Sequence, residues 1–255
     1  EFPELQGVMG REYARAAGEP AQVAEALFEH YLPRFAGDRL PATDVGAVVS
    51  ISDKLDTIVG CFAVGLIPTG TADPYALRRQ CIGIINILLD KQYRLSLADL
   101  VRFCIAGLGD KPTRQADDIQ RDVLDFFSGR LETVLTGSGS AADAVAAVLA
   151  LGVDDITDCA RRTEALHRMK QDPAFEPLAV SFKRVVNILR TAAPAGRTDP
   201  DLFEHEAERT LHGRFAALRQ RVAAHMADRR YDEALRLIAT LRDAVDGFFD
   251  NVLVM

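Results

Sequence analysis

Between residues 45 and 63 apolar side chains recur at steps of three and four, through Val48, Val49, Ile51, Leu55, Ile58, Val59 and Phe62. That is the spacing of one helical face. The same period runs through most of the chain. Val23, Ala24, Leu27, Phe28 and Tyr31 follow it between Pro20, which opens a helix, and Pro33, which stops it, with His30 on the last turn. Leu77, Cys81, Ile84, Ile85 and Leu88 follow it in a segment from Pro74 to about Tyr93, and Leu95 to Ala106 predicts another helix. Further on, Ile119 to Leu135 is amphipathic through Val123, Leu124, Phe127, Leu131 and Val134. An alanine-rich helix is expected over 143–151, one from Asp154 or Asp155 to about Lys170, and one formed by LAVSFKRVVNILR after Pro177. Two long helices, about 201–227 and 231–254, close the chain. No alternating strand pattern of useful length is present, so the expected fold class is all-α.

The polar interruptions carry as much information as the stripe. Ser52, Asp53, Lys54, Asp56 and Thr57 fall within two turns of a segment expected to face the core, and buried carboxylates need a partner, a ligand or a metal. The simplest reading makes Asp53, Lys54 and Asp56, with His30, a hydrogen-bonded polar cluster that fixes helix packing. In the loop that follows, GLIPTGTADP, Gly65, Pro68 and Gly70 set the turn; Asp73 is placed to cap the next helix and Pro74 to occupy its first position. GLGDKPTRQADD, residues 107–118, is the best linker candidate, and TAAPAGRTDP reads as a second, surface loop. Two domains are therefore expected, 1–117 and 118–255.

Composition narrows the class of protein. With 48% hydrophobic and 26% charged residues the 255-residue chain is ordinary for a soluble globular protein. No apolar run approaches the roughly 20 residues a membrane helix needs, and no signal peptide is visible, so a cytoplasmic location is expected. Cys61, Cys81, Cys104 and Cys159 are widely spaced with no CxxC pair, which favours reduced structural thiols over disulfides or zinc. The chain starts on Glu1 and enters as though in mid-protein, so a fragment of a longer polypeptide is expected. The net charge of −7 argues against wholesale polyanion binding, but it is unevenly spread. Residues 119–157 sum to −4, residues 158–190 to +3, and residues 205–242 to +3 through eight arginines against five acids. The C-terminal helices are the electrostatic candidates for RNA.

The block ISDKLDTIVGCFAVGLIPTGTADPYALRRQCIGIINILL closely resembles the beta subunit of the bacterial heterotetrameric glycyl-tRNA synthetase. EFPELQGVMG, EHYLPRFAGDRLP and DGFFDNVLVM resemble the same family, in order along the whole chain. The resemblance implies a C-terminal fragment of that subunit. It implies an HD-like helical domain followed by a DALR-type helical anticodon-binding bundle, the latter from FKRVVNILR and YDEALRLIATLRDAVDGFFDNVLVM. It also implies tRNA for glycine and the alpha subunit as partners, in an alpha2beta2 heterotetramer. Glycine activation with ATP then belongs to the alpha subunit, so the fragment alone is expected to be inactive, with no catalytic residue and no cofactor of its own.

Active HD domains use a His, a His-Asp pair and a final Asp to bind metal. Here His30 could stand for the lone histidine and Asp53 or Asp56 for the final carboxylate, but the five histidines are followed by Tyr31, Arg168, Glu206, Gly213 and Met226, never by Asp. One His and one Asp are too few ligands, so no metal site is expected. A metal-dependent HD-type phosphohydrolase stays open as an alternative, as does a scaffold for the alpha subunit that binds no RNA. The synthetase signatures HIGH and KMSKS are absent, as is a P-loop. For tRNA, a reader of unstacked anticodon bases needs cations for phosphates and planar groups for bases. Lys183, Arg184, Asn187 and Arg190 fall within two turns, and Arg161, Arg162 and Phe249 complete the expected tRNA-binding set. Phe248 and Phe249 could stack on bases, but paired aromatics near a helical C-terminus more often belong to the core. Arg78 and Arg79 suit either tRNA backbone, the partner subunit or nearby acids such as Asp73.

Overall fold

The computed structural model describes residues 2–173, 175–189 and 198–252. Among them the regular structure is helical, as the periodicity requires: α1 (Val8–Ala16), α2 (Ala21–Glu29), α3 (Asp44–Ala63), α4 (Leu77–Lys91), α5 (Leu97–Gly107), α6 (Ala116–Gly137), α7 (Ala142–Leu149), α8 (Ile156–Lys170), α9 (Phe175–Leu189), α10 (Glu206–Ala227), α11 (Tyr231–Ala239) and α12 (Arg242–Asn251). Short 3-10 turns stand at Pro3–Leu5 and Pro200–Leu202. The chain divides into two units, residues 1–160 and 161–255, with the division inside α8.

In the first unit α3 is the central rod, packed by α2, α4, α5 and α6. Its buried face is Ala47, Ser50, Ile51, Lys54, Leu55, Ile58, Val59 and Phe62. Val48 and Val49, expected on that face, are 55% and 40% exposed. The stripe is rotated because Ser50 and Lys54 take inward positions: Ser50 Oγ donates to Leu32 O at 2.7 Å and Lys54 Nζ donates to Ser50 Oγ and to His30 O, each at 2.8 Å. Phe62, Ile58, Ile84, Ile85, Phe127 and Leu131 fill the space between α3, α4 and α6 with almost no exposure. Phe62 and Phe126 meet edge to face at 5.1 Å.

The stretch 107–118 does not behave as a linker. Thr113 N donates to Ala63 O at 3.0 Å, and Arg114 donates to Phe62 O at 3.2 Å while pairing with Asp122 at 2.5 Å. Both carbonyls belong to the last turn of α3, and Phe62 O also accepts from Gly65 N at 3.2 Å, so the guanidinium adds a second donor there and meets the negative end of the helix dipole. The connection is thus folded onto the first unit, and the division falls at 160/161 rather than at 117/118.

Asp73 does cap α4, accepting from Leu77 N at 2.8 Å and Arg78 N at 3.0 Å. The helix starts at Leu77, however, because Ala76 takes a left-handed conformation (φ 55°), which leaves Pro74 in the preceding turn. Near the end, the expected single helix over 231–254 is broken between Ala239 and Arg242, and Val254 lies outside the described residues. The expected start at Asp201 is likewise a 3-10 turn; α10 opens at Glu206, where Glu208 accepts from Glu204 N and His205 N. Most of TAAPAGRTDP, residues 191–197, also lies outside the described residues.

The second unit has a small core. Ala165, Leu178, Tyr231, Ala234, Leu241, Ala244 and Val245 are buried, α10 packs on α11 and α12, and α12 on α9. Ser181 Oγ ties α9 to α12 by donating to Asp246 at 2.5 Å. On α8 and α11, Arg168 clamps the Asp232 carboxylate with Nε at 3.0 Å and Nη2 at 2.7 Å, and takes Glu164 on its other side at 2.5 Å. Hydrogen bonding from Arg168 holds the Asp232 carboxyl below the usual range. A depressed carboxyl contributes stability above its unfolded pKa of about 3.9 and loses it as pH falls through the lower folded value. We expect Arg168→Ala to cost the second unit less than about 1 kcal/mol, because both partners face water. The cost should fade below about pH 4, which urea melts of wild type and variant at pH 7 and pH 3 would show.

Candidate nucleic-acid interface

α9 is amphipathic in a way that separates its two roles. Leu178 and Ser181 turn inward, while Lys183, Arg184 and Asn187 lie exposed on the opposite side with Val180 and Val186. The positions 180, 183, 184 and 187 are helix neighbours, so the exposed side is one continuous face. Arg184 sets its guanidinium 4.3 Å from the centre of the Phe249 ring, a cation–π arrangement that carries the cationic face of α9 onto α12. Phe249 in turn meets Phe248 edge to face at 5.6 Å, and both rings are half-buried. Phe248 faces an apolar groove shared with Phe182, Val185, Phe215 and Val245, so of the pair it has the core character.

The other expected residues are placed differently. Arg162 lies 5.5 Å from the centre of the Tyr231 ring and donates Nε to its hydroxyl at 3.4 Å, so it is engaged with α11, whereas Arg184 is engaged with α12. Arg161 is half-buried on α8 beside it. Arg190 lies outside the described residues.

Three residues absent from the expected set stand out on α10. This 22-residue helix has no buried residue, and Arg214, Arg219 and Arg221 are exposed with no acidic partner among the described residues. Their signal was in the charge of segment 205–242, which singles out the helix but not the side chains. Exposed arginines without an acidic partner offer cations that can follow a phosphate backbone.

The expected polar cluster in the first unit is rearranged. Lys54 is its buried member, at 5% exposure, and Asp53 and Asp56 are exposed. His30 joins through its backbone carbonyl; its ring stacks on Tyr31 at 3.9 Å with Nδ1 2.9 Å from Leu27 O. Burial pushes the Lys54 ammonium down to about 8, against a smaller upward pull from Asp53. A second buried charge organises the start of α3. Glu29, at 3% exposure, accepts from Ala42 N at 2.7 Å, from Thr43 N at 3.2 Å and from the Thr43 hydroxyl. Among the described residues, no three His, Cys, Asp or Glu side chains are grouped so as to hold a metal ion. No helix among them is long and apolar enough to cross a membrane.

Comparison with known proteins agrees with the resemblance read from the SDKLDT and GLIPTGTADPYALRR blocks. A family model described as glycyl-tRNA synthetase beta subunit matches residues 1–150. The chain is 53% identical over all 255 residues to the glycine–tRNA ligase beta subunit of Geotalea uraniireducens. It is 51% identical to that of Syntrophus aciditrophicus and 52% to that of Geobacter sulfurreducens, again over its whole length. It spans 37% of the length of each of these relatives. With more than half of its residues matched by that model, the chain belongs to the glycyl-tRNA synthetase beta subunit family.

Proposed function

We propose that this chain is a tRNA-holding part of glycine–tRNA ligase, in which the second unit grips tRNA for glycine and the first serves as its helical support. Adenylate chemistry lies with the alpha subunit, to which the whole beta subunit attaches, and the part of the chain beyond the first unit acts as an anticodon-type bundle. The observation that carries the reading is the exposed, cation-rich surface of the second unit: Lys183, Arg184 and Asn187 on one face of α9, Phe249 beneath Arg184, and the unpaired arginines of α10. Phosphates take the arginines and Lys183, a base can stack where Arg184 covers Phe249, and the Asn187 carboxamide offers a donor and an acceptor to a base edge.

The test is binding of a glycine tRNA transcript, followed by fluorescence anisotropy across a salt series. Arg214→Glu with Arg221→Glu should weaken binding by about tenfold or more and flatten the salt dependence by roughly one to two phosphate contacts. Asn187→Ala should instead change the preference among anticodon variants and leave the salt slope unaltered. Unchanged affinity and slope in the double charge reversal would remove the reading and favour a scaffold that binds no RNA.

A further inference from the structure

In the first unit a cleft of about 230 Å³ opens between α3, α4 and the turn after α2, with Asp53, Lys54 and Thr57 of the SDKLDT block and Ala76 and Arg79 of the GLIPTGTADPYALRR block on its wall. Three cations line it: Arg34, Lys54 and Arg79. Arg34 is already matched, its Nε 3.0 Å from Asp38. The other two have no carboxylate within ion-pair distance among the described residues. Arg79 is exposed and its guanidinium reaches only the Arg34 carbonyl, at 3.3 Å. Lys54 is buried and spends two of its three N–H groups on His30 O and Ser50 Oγ, both neutral acceptors. A buried ammonium without a counter-ion is costly, and native structures pair such charges. Gln6, Tyr31 and Gln80 add neutral side chains to the same wall. The one acid on it, Asp53, is exposed and makes no ion pair with Lys54.

We propose that this cleft binds the phosphate group of a phosphate ester, with Lys54 and Arg79 as its charged donors and the neutral groups completing its coordination. Phosphate fits better than a carboxylate because the two charged donors, an ammonium on α3 and a guanidinium on α4, belong to different elements rather than to one planar fork. Asp53 opposes the anion and so sets the affinity low in the absence of other contacts. The site lies within the first unit, and its test does not depend on the tRNA reading of the second.

The test uses the whole chain and inorganic phosphate, titrated while the phosphorus NMR line width is followed at constant ionic strength. Saturable broadening is expected. Arg79→Gln, an exposed change that leaves the fold intact by circular dichroism, should move the midpoint upward by about tenfold. Asp53→Asn should move it downward. Non-saturating broadening, or midpoints that Arg79→Gln and Asp53→Asn leave in place, would overturn the site. Competition then identifies the source: displacement by a short RNA identifies a backbone phosphate, and displacement by adenosine monophosphate but not by RNA identifies a free phosphomonoester. Displacement by neither would also overturn the proposal.

Discussion

Gly46→Ala should destabilise the first unit by about 3 kcal/mol, through one side chain seventeen residues away. Gly46 lies in the first turn of α3 with ordinary helical geometry, so an added methyl meets no backbone strain. The space, however, is taken. A Cβ on Gly46 would stand 2.0 Å from Glu29 Oε2 and 2.6 Å from Glu29 Cβ, and the second of these cannot move without shifting α2. Glu29 is placed there because the start of α3 exposes amide groups that nothing else can satisfy: its carboxylate takes Ala42 N, Thr43 N and the Thr43 hydroxyl, while Thr43 Oγ1 takes Gly46 N at 3.0 Å. Glu29→Ala should cost on the order of 3 kcal/mol or more, since it leaves buried donors without acceptors. The two changes should not add. Truncating Glu29 to alanine removes the carboxylate clash but keeps the Cβ 2.6 Å away, so Gly46→Ala should still cost stability in that background, though at least about 1 kcal/mol less. Urea melts of the four proteins, with amide exchange at Ala42 and Thr43, would measure this; strict additivity would show that the glycine is not there for the carboxylate.

The second large effect depends on pH and belongs to Lys54. Its folded pKa of about 8 lies below the ordinary lysine value of 10.5. Between these values the native protein gives up its proton before the unfolded chain does, so the unfolded state binds more protons and stability rises with pH. Below about pH 8 both states hold the proton and the native fold carries the full cost of a buried ammonium; above about 10.5 neither does. Three thiols oppose this trend, because desolvation raises buried Cys81 and the half-buried Cys61 and Cys104, and the unfolded chain ionises them first. The informative quantity is therefore the difference between wild type and Lys54→Met, in which the cysteines cancel. Wild type should gain up to about 3 kcal/mol on the variant between pH 8 and pH 10.5. Melts in phosphate-free buffer would show it, and a difference that stays flat across that range would mean the ammonium is solvated in the native state.

Lys54 also shows how far the chain could be read without coordinates. The polar run Ser52 to Thr57 was visible as an interruption of a core-facing helix, and so was the need for a partner. Which member turned inward was not. A lysine and two aspartates spaced one and two residues apart sit at nearly every angle around a helix axis, and only the carbonyl of His30 and the hydroxyl of Ser50, brought in from neighbouring turns, make the inward place suit the lysine. The same holds for the cationic surface. The charge of segments 158–190 and 205–242 pointed to the second unit, but Arg162 is engaged with Tyr231, while Arg214, Arg219 and Arg221 have no acidic partner among the described residues.

The helices themselves were local matters. Apolar residues at steps of three and four, prolines at helix starts and ends, and the Asp73 cap are properties of a few consecutive residues, so the all-α class and most element positions followed from the chain alone. Gly-Pro-charge composition suggested a linker at 107–118, and here tertiary structure overruled it: Arg114 and Thr113 find carbonyls at the end of α3, fifty residues back, and fold the segment down. Whether a polar group is buried, paired or free depends on which distant group arrives opposite it. The sequence records the supply of such groups, and only the packing of α2, α3, α4 and α6 decides which of them meet.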